Sequence, residues 1–291
     1  MTALLFEFPK ATSLGKNLRK LTGALEGKYS SRTFPDGETY VRVESDVKDQ
    51  VVIINASLAN PNDWFLGLLF LADALLKLGA QKIILVAPYL SYMRQDKAFH
   101  TGEAVTSETF AQLISTYFDK LITVDPHLHR YKSLKEIYTI PSTVLHATDL
   151  MAQWIQKYVP NPFIIGPDME SLQWVKEVAG NFPYVILDKV RHGDQQVEIT
   201  WPELTHVLDK TPVLVDDIIS SGVTMIQALE HLKAHKFKDA ICMTVHPIFA
   251  GASYQAIQAL GVLKIISTNS IEHPSNQLNL APLLAEALKS I

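Results

Sequence analysis

Two adjacent carboxylates, Asp216 and Asp217, stand directly before a run of small residues at 220–224. The apolar residues 213–215 are typical of a strand buried on both faces, and an apolar stripe at helical spacing begins at Met225. In a strand–loop–helix arrangement, backbone N–H groups of the loop and of the first helical turn can cradle a phosphate dianion. The carboxylates can hold sugar hydroxyls, or a metal ion that carries them. The pattern predicts a sugar-phosphate site at Asp216, Asp217, Ser220, Ser221, Gly222, Val223 and Thr224.

Two further clusters combine charged or imidazole groups at the end of a predicted strand. Asp125, His127 and His129 supply one carboxylate and two imidazoles, which can ligate a divalent ion. Lys189 and Arg191 stand two residues apart on a predicted strand, so both cations point to the same side. Such a pair can flank a phosphoryl chain during its transfer.

Each cluster also has a plainer interpretation. Ser221 or Thr224 can cap a helix beside a solvated turn. The two histidines can be ordinary surface residues, and the two cations can end a strand in solvent. The residue types alone leave these alternatives open.

Residues 213–224 read Val-Leu-Val-Asp-Asp-Ile-Ile-Ser-Ser-Gly-Val-Thr. This stretch resembles the loop that binds phosphoribosyl pyrophosphate (PRPP) in type I phosphoribosyltransferases and in their relatives, the ribose-phosphate pyrophosphokinases. The resemblance implies that residues 220–224 bind the 5-phosphate of ribose 5-phosphate and that Asp216 and Asp217 bind its hydroxyls. Because both groups of enzymes share this loop, other segments must distinguish between them.

Two segments of the first half resemble the ATP-binding segments of the pyrophosphokinases. Phe-Pro-Asp-Gly-Glu at 34–38 is similar to a Phe-x-Asp-Gly-Glu loop that contacts adenine from a neighbouring subunit. Tyr-Met-Arg-Gln-Asp at 92–96 is similar to Tyr-x-Arg-Gln-Asp, in which Arg and Gln contact ATP. From the residue types alone, residues 35–37 would be interpreted as a hairpin turn and residues 88–103 as an exposed polar loop after a strand. The ATP-binding residues that the resemblance implies are Phe34, Asp36, Gly37, Glu38, Arg94 and Gln95.

The metal-binding and catalytic positions follow from three shorter matches. Asp-Pro-His at 125–127 is similar to the family's Asp-Leu-His, whose histidine binds magnesium. Pro167 and Asp168 match part of Ser-Pro-Asp-x-Gly-Gly, whose aspartate binds metal, whereas 170–171 is Glu-Ser where the family has two glycines. Those glycines let the backbone approach a pyrophosphate closely. Asp-Lys-Val-Arg at 188–191 matches the family's Asp-Lys-x-Arg, which carries the catalytic cations. The resemblance therefore implies Mg²⁺ at His127 and Asp168, with Lys189 and Arg191 as catalytic residues.

The elements that must position these residues alternate between strand and helix in both halves of the chain. This order favours parallel sheets with right-handed crossovers and ligand loops at the carboxyl ends of the strands. Helices are predicted at 10–26, 60–77 and 225–236, and a strand at 184–187 is predicted to run on into 188–191.

The predicted fold class is α/β, and the resemblance implies two tandem phosphoribosyltransferase-type domains, each a mainly parallel sheet flanked by helices. The predicted boundaries are 1–145, with the ATP loops, and 146–291, with the PRPP loop. The terminal helix predicted at 280–291 belongs to the second domain or packs back on the first.

Composition excludes several classes of protein. The chain has 291 residues, and 26 basic against 30 acidic side chains leave a net charge of −4, so neither a basic nucleic-acid surface nor an acidic tail is expected. Its single cysteine, Cys242, excludes an internal disulfide and lies in an apolar run typical of a buried core. The first residues lack the features of a signal peptide, and the most apolar segment, 64–78, is too short to span a bilayer. We therefore expect a cytoplasmic protein.

The resemblance implies one reaction and leaves two alternatives. Ribose 5-phosphate and ATP would give PRPP and AMP, in a homodimer or higher homo-oligomer whose ATP site is shared between subunits. A phosphoribosyltransferase that consumes PRPP shares the central loop but needs neither 34–38 nor Lys189. A non-catalytic regulatory subunit is the other alternative. It is favoured by Glu170 and Ser171, and by Ser220, a position at which many pyrophosphokinases carry Asp.

Overall fold

The computed structural model describes residues 3–167, 169–192, 196–200, 207–237 and 239–289. The chain forms two compact units. Unit 1 comprises Met1–Leu145 together with Leu280–Ile291, and unit 2 comprises His146–Asn279.

Unit 1 is built on a six-stranded parallel sheet in the order β2-β1-β5-β6-β7-β8, with a separate antiparallel hairpin, β3–β4. Its elements up to residue 145 are β1 (Leu4–Glu7), α1 (Ser13–Thr22), β2 (Leu25–Glu26), β3 (Tyr29–Thr33), β4 (Thr39–Val43), β5 (Val51–Asn55), α2 (Phe65–Lys77), β6 (Lys82–Ala87), α3 (Thr106–Tyr117), β7 (Lys120–Val124) and β8 (Ser142–Leu145). The central strands are continuous apolar runs because helices cover both faces of such a sheet. Leu68, Leu71 and Leu75 of α2 are fully buried in the core that includes Ile54 and Leu85.

Unit 2 repeats this plan with a parallel sheet in the order β10-β9-β13-β14-β15-β16 and a separate antiparallel ribbon, β11–β12. Its elements are α4 (Thr148–Tyr158), β9 (Pro162–Gly166), α5 (Leu172–Ala179), β10 (Tyr184–Ile186), β11 (Asp188–His192), β12 (Gln196–Thr200), β13 (Thr211–Ile219), α6 (Val223–Ala234), β14 (Ile241–Pro247), α7 (Ser253–Ala259), β15 (Lys264–Thr268) and β16 (Asn276–Leu278). The last helix, α8 (Ala281–Leu288), returns to unit 1 and packs against α1.

The core of unit 2 confirms the position expected for the single cysteine. Cys242 is fully buried with Leu214 and Ile265 from the neighbouring strands and with Leu229 and Leu232 from α6. Burial raises the pKa of its thiol, so the sulfur stays protonated and inert towards thiol reagents in the folded state.

The two sheets have the same connectivity, and the predicted α/β fold class is therefore confirmed. In each unit the second strand, β2 or β10, forms one edge of the sheet. A two-stranded antiparallel element follows it in the chain, and the strand after that, β5 or β13, lies in the middle of the sheet. By this order β3–β4 of unit 1 occupies the same topological position as β11–β12 of unit 2. No helix of the described residues is long and apolar enough to cross a membrane.

Two predicted helices of unit 1 have wrong boundaries, each for a local reason. The helix predicted at 10–26 ends at Thr22 because Gly23 takes a left-handed conformation, with φ of 70°, and terminates it. Leu25 then lies in β2 and pairs with Leu4. In the segment 60–77, the α-helix begins only at Phe65, after a short 3-10 turn at Pro61–Asp63.

The other two corrections concern strands of unit 2. The strand predicted at 213–215 continues to Ile219, because β13 stays paired with β14 as far as Pro247, so Asp216 and Asp217 lie within it. The strand predicted to run from 184 into 191 is two strands: β10 ends at Ile186 and β11 starts the separate ribbon.

Candidate active site

The small residues after β13 form a tight loop that leads directly into α6. Gly222 has φ of 73° and is the residue that precedes the helix, and its carbonyl accepts the N–H of Ile226 at 2.8 Å. A residue with a side chain is disfavoured in this left-handed conformation, which explains the glycine. The helix thus begins at Val223, two residues earlier than the sequence predicted. We call residues 220–224 the phosphate loop.

Both carboxylates of the acidic pair are half-buried where β13 approaches the phosphate loop. Oδ1 of Asp216 accepts the backbone N–H of Asp217 at 2.9 Å. The backbone carbonyl of Asp217 accepts the hydroxyl of Thr244 on β14 at 3.1 Å. Hydrogen bonds from side chains, in addition to the backbone hydrogen bonds between strands, therefore hold the strand that carries the two aspartates.

A segment after β14 holds the phosphate loop from one side. The N–H of Phe249 donates to the carbonyl of Ile219 at 2.9 Å, so the contact between the two chain segments continues beyond the last paired residue of β14, Pro247. The carbonyl of Ser220 accepts two hydrogen bonds, from the N–H of Ala250 at 3.0 Å and from the hydroxyl of Ser253 at 2.9 Å. We call residues 249–253 the clasp.

A buried histidine lies beside this region at the end of β14. His246 is 1% exposed, and its Nδ1 lies 3.0 Å from the hydroxyl of Ser270. The hydroxyls of Ser270 and Thr268 both donate to the carbonyl of Val245, at 2.9 and 2.7 Å. None of these residues was among the predicted site residues, and neither was Ser253. The small hydroxyl residues at the end of β15 were the signal that could have found Thr268 and Ser270.

The hairpin tip between β3 and β4 presents the residues expected to contact ATP. Gly37 has φ of 92°, and the tip is closed by the N–H of Phe34, which donates to the carbonyl of Glu38 at 2.7 Å. The guanidinium of Arg32 lies 4.2 Å from the centre of the Phe34 ring. Asp36 and Glu38 are exposed, so their carboxylates face solvent in this chain.

The segment after β6 is anchored on both sides of Arg94 and Gln95. Tyr92 has φ of 61°, its hydroxyl donates to Asn62, and its ring lies 4.6 Å from that of Phe110. Arg94 itself is exposed and Gln95 is half-buried. The structure thus fixes the backbone around the two predicted ATP contacts and leaves the Arg94 side chain at the surface.

An ion pair joins this segment to the one that follows β7. The carboxylate of Asp96, whose side chain is 2% exposed, accepts Nη1 of Arg130 at 2.5 Å. The hydroxyl of Tyr131 donates to the backbone carbonyl of Asp96 at 3.2 Å and lies 3.1 Å from the hydroxyl of Ser107. The predicted ATP segment and the predicted metal segment of unit 1 are therefore held together.

The predicted metal segment begins at Asp125, which is buried and has φ of 37°. His127 is half-buried and His129 is exposed, and Nδ1 of His127 lies 2.9 Å from Nε2 of His129. One of the two rings donates to the other, so each ring orients its neighbour. His129, which the residue types alone had linked only to a general metal-binding role, is thus in direct contact with His127.

Three predicted site residues have no described side chain. Asp168 lies outside the described residues. Lys189 and Arg191 lie on β11, opposite Ile199 and Val197 of β12, and only their backbone is described.

The comparisons with known proteins cover both units. A family profile for the N-terminal domain of ribose phosphate pyrophosphokinase matches residues 3–117, and a phosphoribosyl transferase domain profile matches residues 133–276. A ribose-phosphate pyrophosphokinase of Methanobrevibacter smithii is 33% identical over 273 residues, which cover 89% of this chain and 91% of the relative. This chain belongs to the ribose-phosphate pyrophosphokinase family.

A second relative agrees with this membership, and a solved structure agrees with the fold. The ribose-phosphate pyrophosphokinase of Methanosarcina acetivorans is 34% identical over 261 residues, which cover 89% of each chain. The crystal structure of a phosphoribosylpyrophosphate synthetase from Mycobacterium smegmatis matches the fold with a TM-score of 0.87, over 100% of this chain and 98% of the other, at 24% identity. The family that the sequence motifs predicted is therefore confirmed, as is its two-part α/β fold.

Proposed function

We propose that this pyrophosphokinase family member transfers the β,γ-diphosphoryl group of ATP to the anomeric hydroxyl of ribose 5-phosphate, giving PRPP and AMP. The observation that carries the proposal is the phosphate loop between β13 and α6, in a chain whose two halves both match the family. In the reaction, the anomeric oxygen forms a bond to the β-phosphorus. The bond from that phosphorus to the α,β-bridging oxygen breaks, AMP leaves, and the hydroxyl proton is released.

Ribose 5-phosphate is assigned to unit 2. Backbone N–H groups of the phosphate loop and the amino end of α6 favour a dianion, because the first N–H groups of a helix have no partner within it. The hydroxyls of Ser220, Ser221 and Thr224 can add donors. Asp216 and Asp217 are acceptors when ionised, which suits them to ribose hydroxyls.

ATP is assigned to unit 1. The Phe34 ring can stack on adenine, and the exposed carboxylates of Asp36 and Glu38 can accept from its amino group. Arg94 offers a planar fork of donors for phosphate oxygens, and Gln95 adds an amide. An exposed hairpin tip is also free to reach a second chain, which supports a homo-oligomer with shared ATP sites.

Mg²⁺ is assigned to His127 and Asp168. The segment that carries His127 suits a divalent ion, because it places a carboxylate, Asp125, two residues from an oriented imidazole. Since Mg²⁺ prefers oxygen ligands and keeps several waters, we expect one or two protein ligands and the substrate phosphates to share it. When bound, the ion neutralises charge on the phosphate oxygens.

Lys189 and Arg191 are assigned to the charge that develops on the transferred group and on the leaving oxygen. Little covalent chemistry falls to the protein in a phosphoryl transfer, so positioning and electrostatic stabilisation dominate. The assignment rests on the Asp-Lys-x-Arg match and on the place of both residues on one strand.

The test is an incubation with ribose 5-phosphate, ATP and Mg²⁺, followed by separation of nucleotides and sugar phosphates. We expect AMP to appear only when ribose 5-phosphate is present. A PRPP-consuming transferase would instead release pyrophosphate from PRPP and a nucleobase. A chain with neither activity that binds an active family member would be the regulatory subunit, and Glu170 and Ser171 would be the first residues to change to glycine.

A further inference from the structure

The carbonyl of Ser220 is held by two hydrogen bonds from the clasp. It accepts the N–H of Ala250 at 3.0 Å and the hydroxyl of Ser253 at 2.9 Å. Ser253 is 5% exposed, so its hydroxyl meets this carbonyl with little competition from water. Two donors from the clasp thus fix the direction of one peptide group.

The direction of that carbonyl determines the direction of the next N–H. A trans peptide is planar, and its C=O and N–H point in opposite directions. Because the carbonyl of Ser220 points towards the clasp, the N–H of Ser221 points away from it. If this peptide flipped, a carbonyl oxygen would take the place of a donor and would repel a bound anion.

The clasp is itself firmly held. Phe249 has φ of 42°, a strained value for a bulky residue, and its ring contacts Tyr254 at 5.1 Å and His273 at 4.6 Å between centroids. Burial lowers the pKa of His273, so this ring is neutral at pH 7 and packs as an aromatic group. A Cβ added to Gly222 would lie 3.1 Å from Cβ of Ser253, so the clasp also packs directly against the phosphate loop.

We propose that Ser253 is a positioning residue that keeps the Ser220–Ser221 peptide in the orientation that binds the 5-phosphate. The inference rests on the proposed function, since it assigns the ligand of the loop. The Ala250 N–H belongs to the backbone, so the hydroxyl of Ser253 is the part of the restraint that a substitution can remove. Without it, the peptide flips more readily and the loop binds ribose 5-phosphate more weakly.

The first test measures binding of ribose 5-phosphate by calorimetry, which needs no turnover. Loss of one orienting hydrogen bond in Ser253→Ala should weaken binding about 3- to 10-fold. Ser253→Thr keeps the hydroxyl and should bind more tightly than Ser253→Ala. The control is Ser142→Ala, which removes another serine-to-carbonyl hydrogen bond, to Ile140 at 3.1 Å, and should leave binding unchanged. Equal affinity in wild type and Ser253→Ala would overturn the inference.

The second test uses the wild type, so it does not depend on a variant that folds. The chain has two Ser–Ser peptides, at 30–31 and 220–221. With serine labelled at its carbonyl carbon and its nitrogen, an HNCO spectrum therefore holds two signals. On addition of ribose 5-phosphate the Ser221 amide proton should move downfield, whereas Ser31 should stay in place as an internal reference.

The outcomes separate this inference from the proposed function. Bound ribose 5-phosphate with an unmoved Ser221 amide would overturn the inference alone. Binding and the expected shift without formation of PRPP from ATP would contradict the proposed function and support the inference. Absence of ribose 5-phosphate binding in the wild type would contradict both.

Discussion

At position 222, backbone conformation and packing both disfavour any residue that carries a side chain. The φ of Gly222 is 73°, and a Cβ there would meet Ser253. We expect Gly222→Ala to raise the KM for ribose 5-phosphate, because the loop must shift, and to lower stability by roughly 1–2 kcal/mol through left-handed strain. Steady-state kinetics and thermal unfolding measure the two effects.

The matched control is Gly261→Ala in the same unit. Gly261 has φ of 81° and open space where a Cβ would be added, so the variant shares the strain and lacks the contact. If both variants raised the KM for ribose 5-phosphate equally, the contact of the added Cβ with Ser253 would not be the cause of the weaker binding.

Lys189 provides a second prediction at the scale of the residue. A cation that meets charge present only in the transition state lowers kcat when it is removed and changes substrate binding little. We expect Lys189→Ala to reduce kcat on the order of 10²–10³-fold. Lys176→Ala, at an exposed position of α5, should keep the wild-type rate. Equal turnover in Lys189→Ala and wild type would refute the assignment.

At the scale of the element, the Asp96–Arg130 ion pair links the segments after β6 and β7. Arg130→Ala leaves the buried carboxylate of Asp96 without this charged donor, which should cost about 1–3 kcal/mol of stability. Because Arg94 and Gln95 precede Asp96, the KM for ATP should rise as well. Arg130→Lys should recover part of both losses, and Lys132→Ala is the control. An unchanged KM for ATP would separate the ion pair from nucleotide binding.

The sequence predicted the features that are determined by residues close together in the chain, and it missed those that depend on contacts between distant residues. The strand, loop and helix around residues 213–234 were predictable because apolar spacing and Gly222 act within a few residues. The clasp was not, because the hydrogen bond from Ser253 to Ser220 joins residues 33 positions apart. β2 was missed because Leu25 continues the helical spacing of α1, and Gly23 ends that helix.

At the scale of the whole molecule, the hairpin β3–β4 and the ribbon β11–β12 hold the same place in two sheets of equal connectivity. The hairpin leads to Asp36 at its tip, and the ribbon carries Lys189, and both residues are assigned to the reaction. If the hairpin of one chain completes the site of its neighbour, Asp36→Ala and Lys189→Ala chains should complement each other when mixed. In a symmetric oligomer assembled at random from equal amounts of the two chains, about a quarter of all the shared sites would carry neither lesion. Activity no higher than that of the separate variants would place each ATP site within one chain.

The most direct test of the central claim is the fate of the phosphorus atoms of ATP, followed by ³¹P NMR with ribose 5-phosphate and Mg²⁺. Transfer of the β,γ-diphosphoryl group as a unit predicts that AMP and PRPP accumulate in equal amounts, without ADP. Omission of ribose 5-phosphate should abolish both products. ADP as the nucleotide product, or no conversion of ATP at all, would contradict the account.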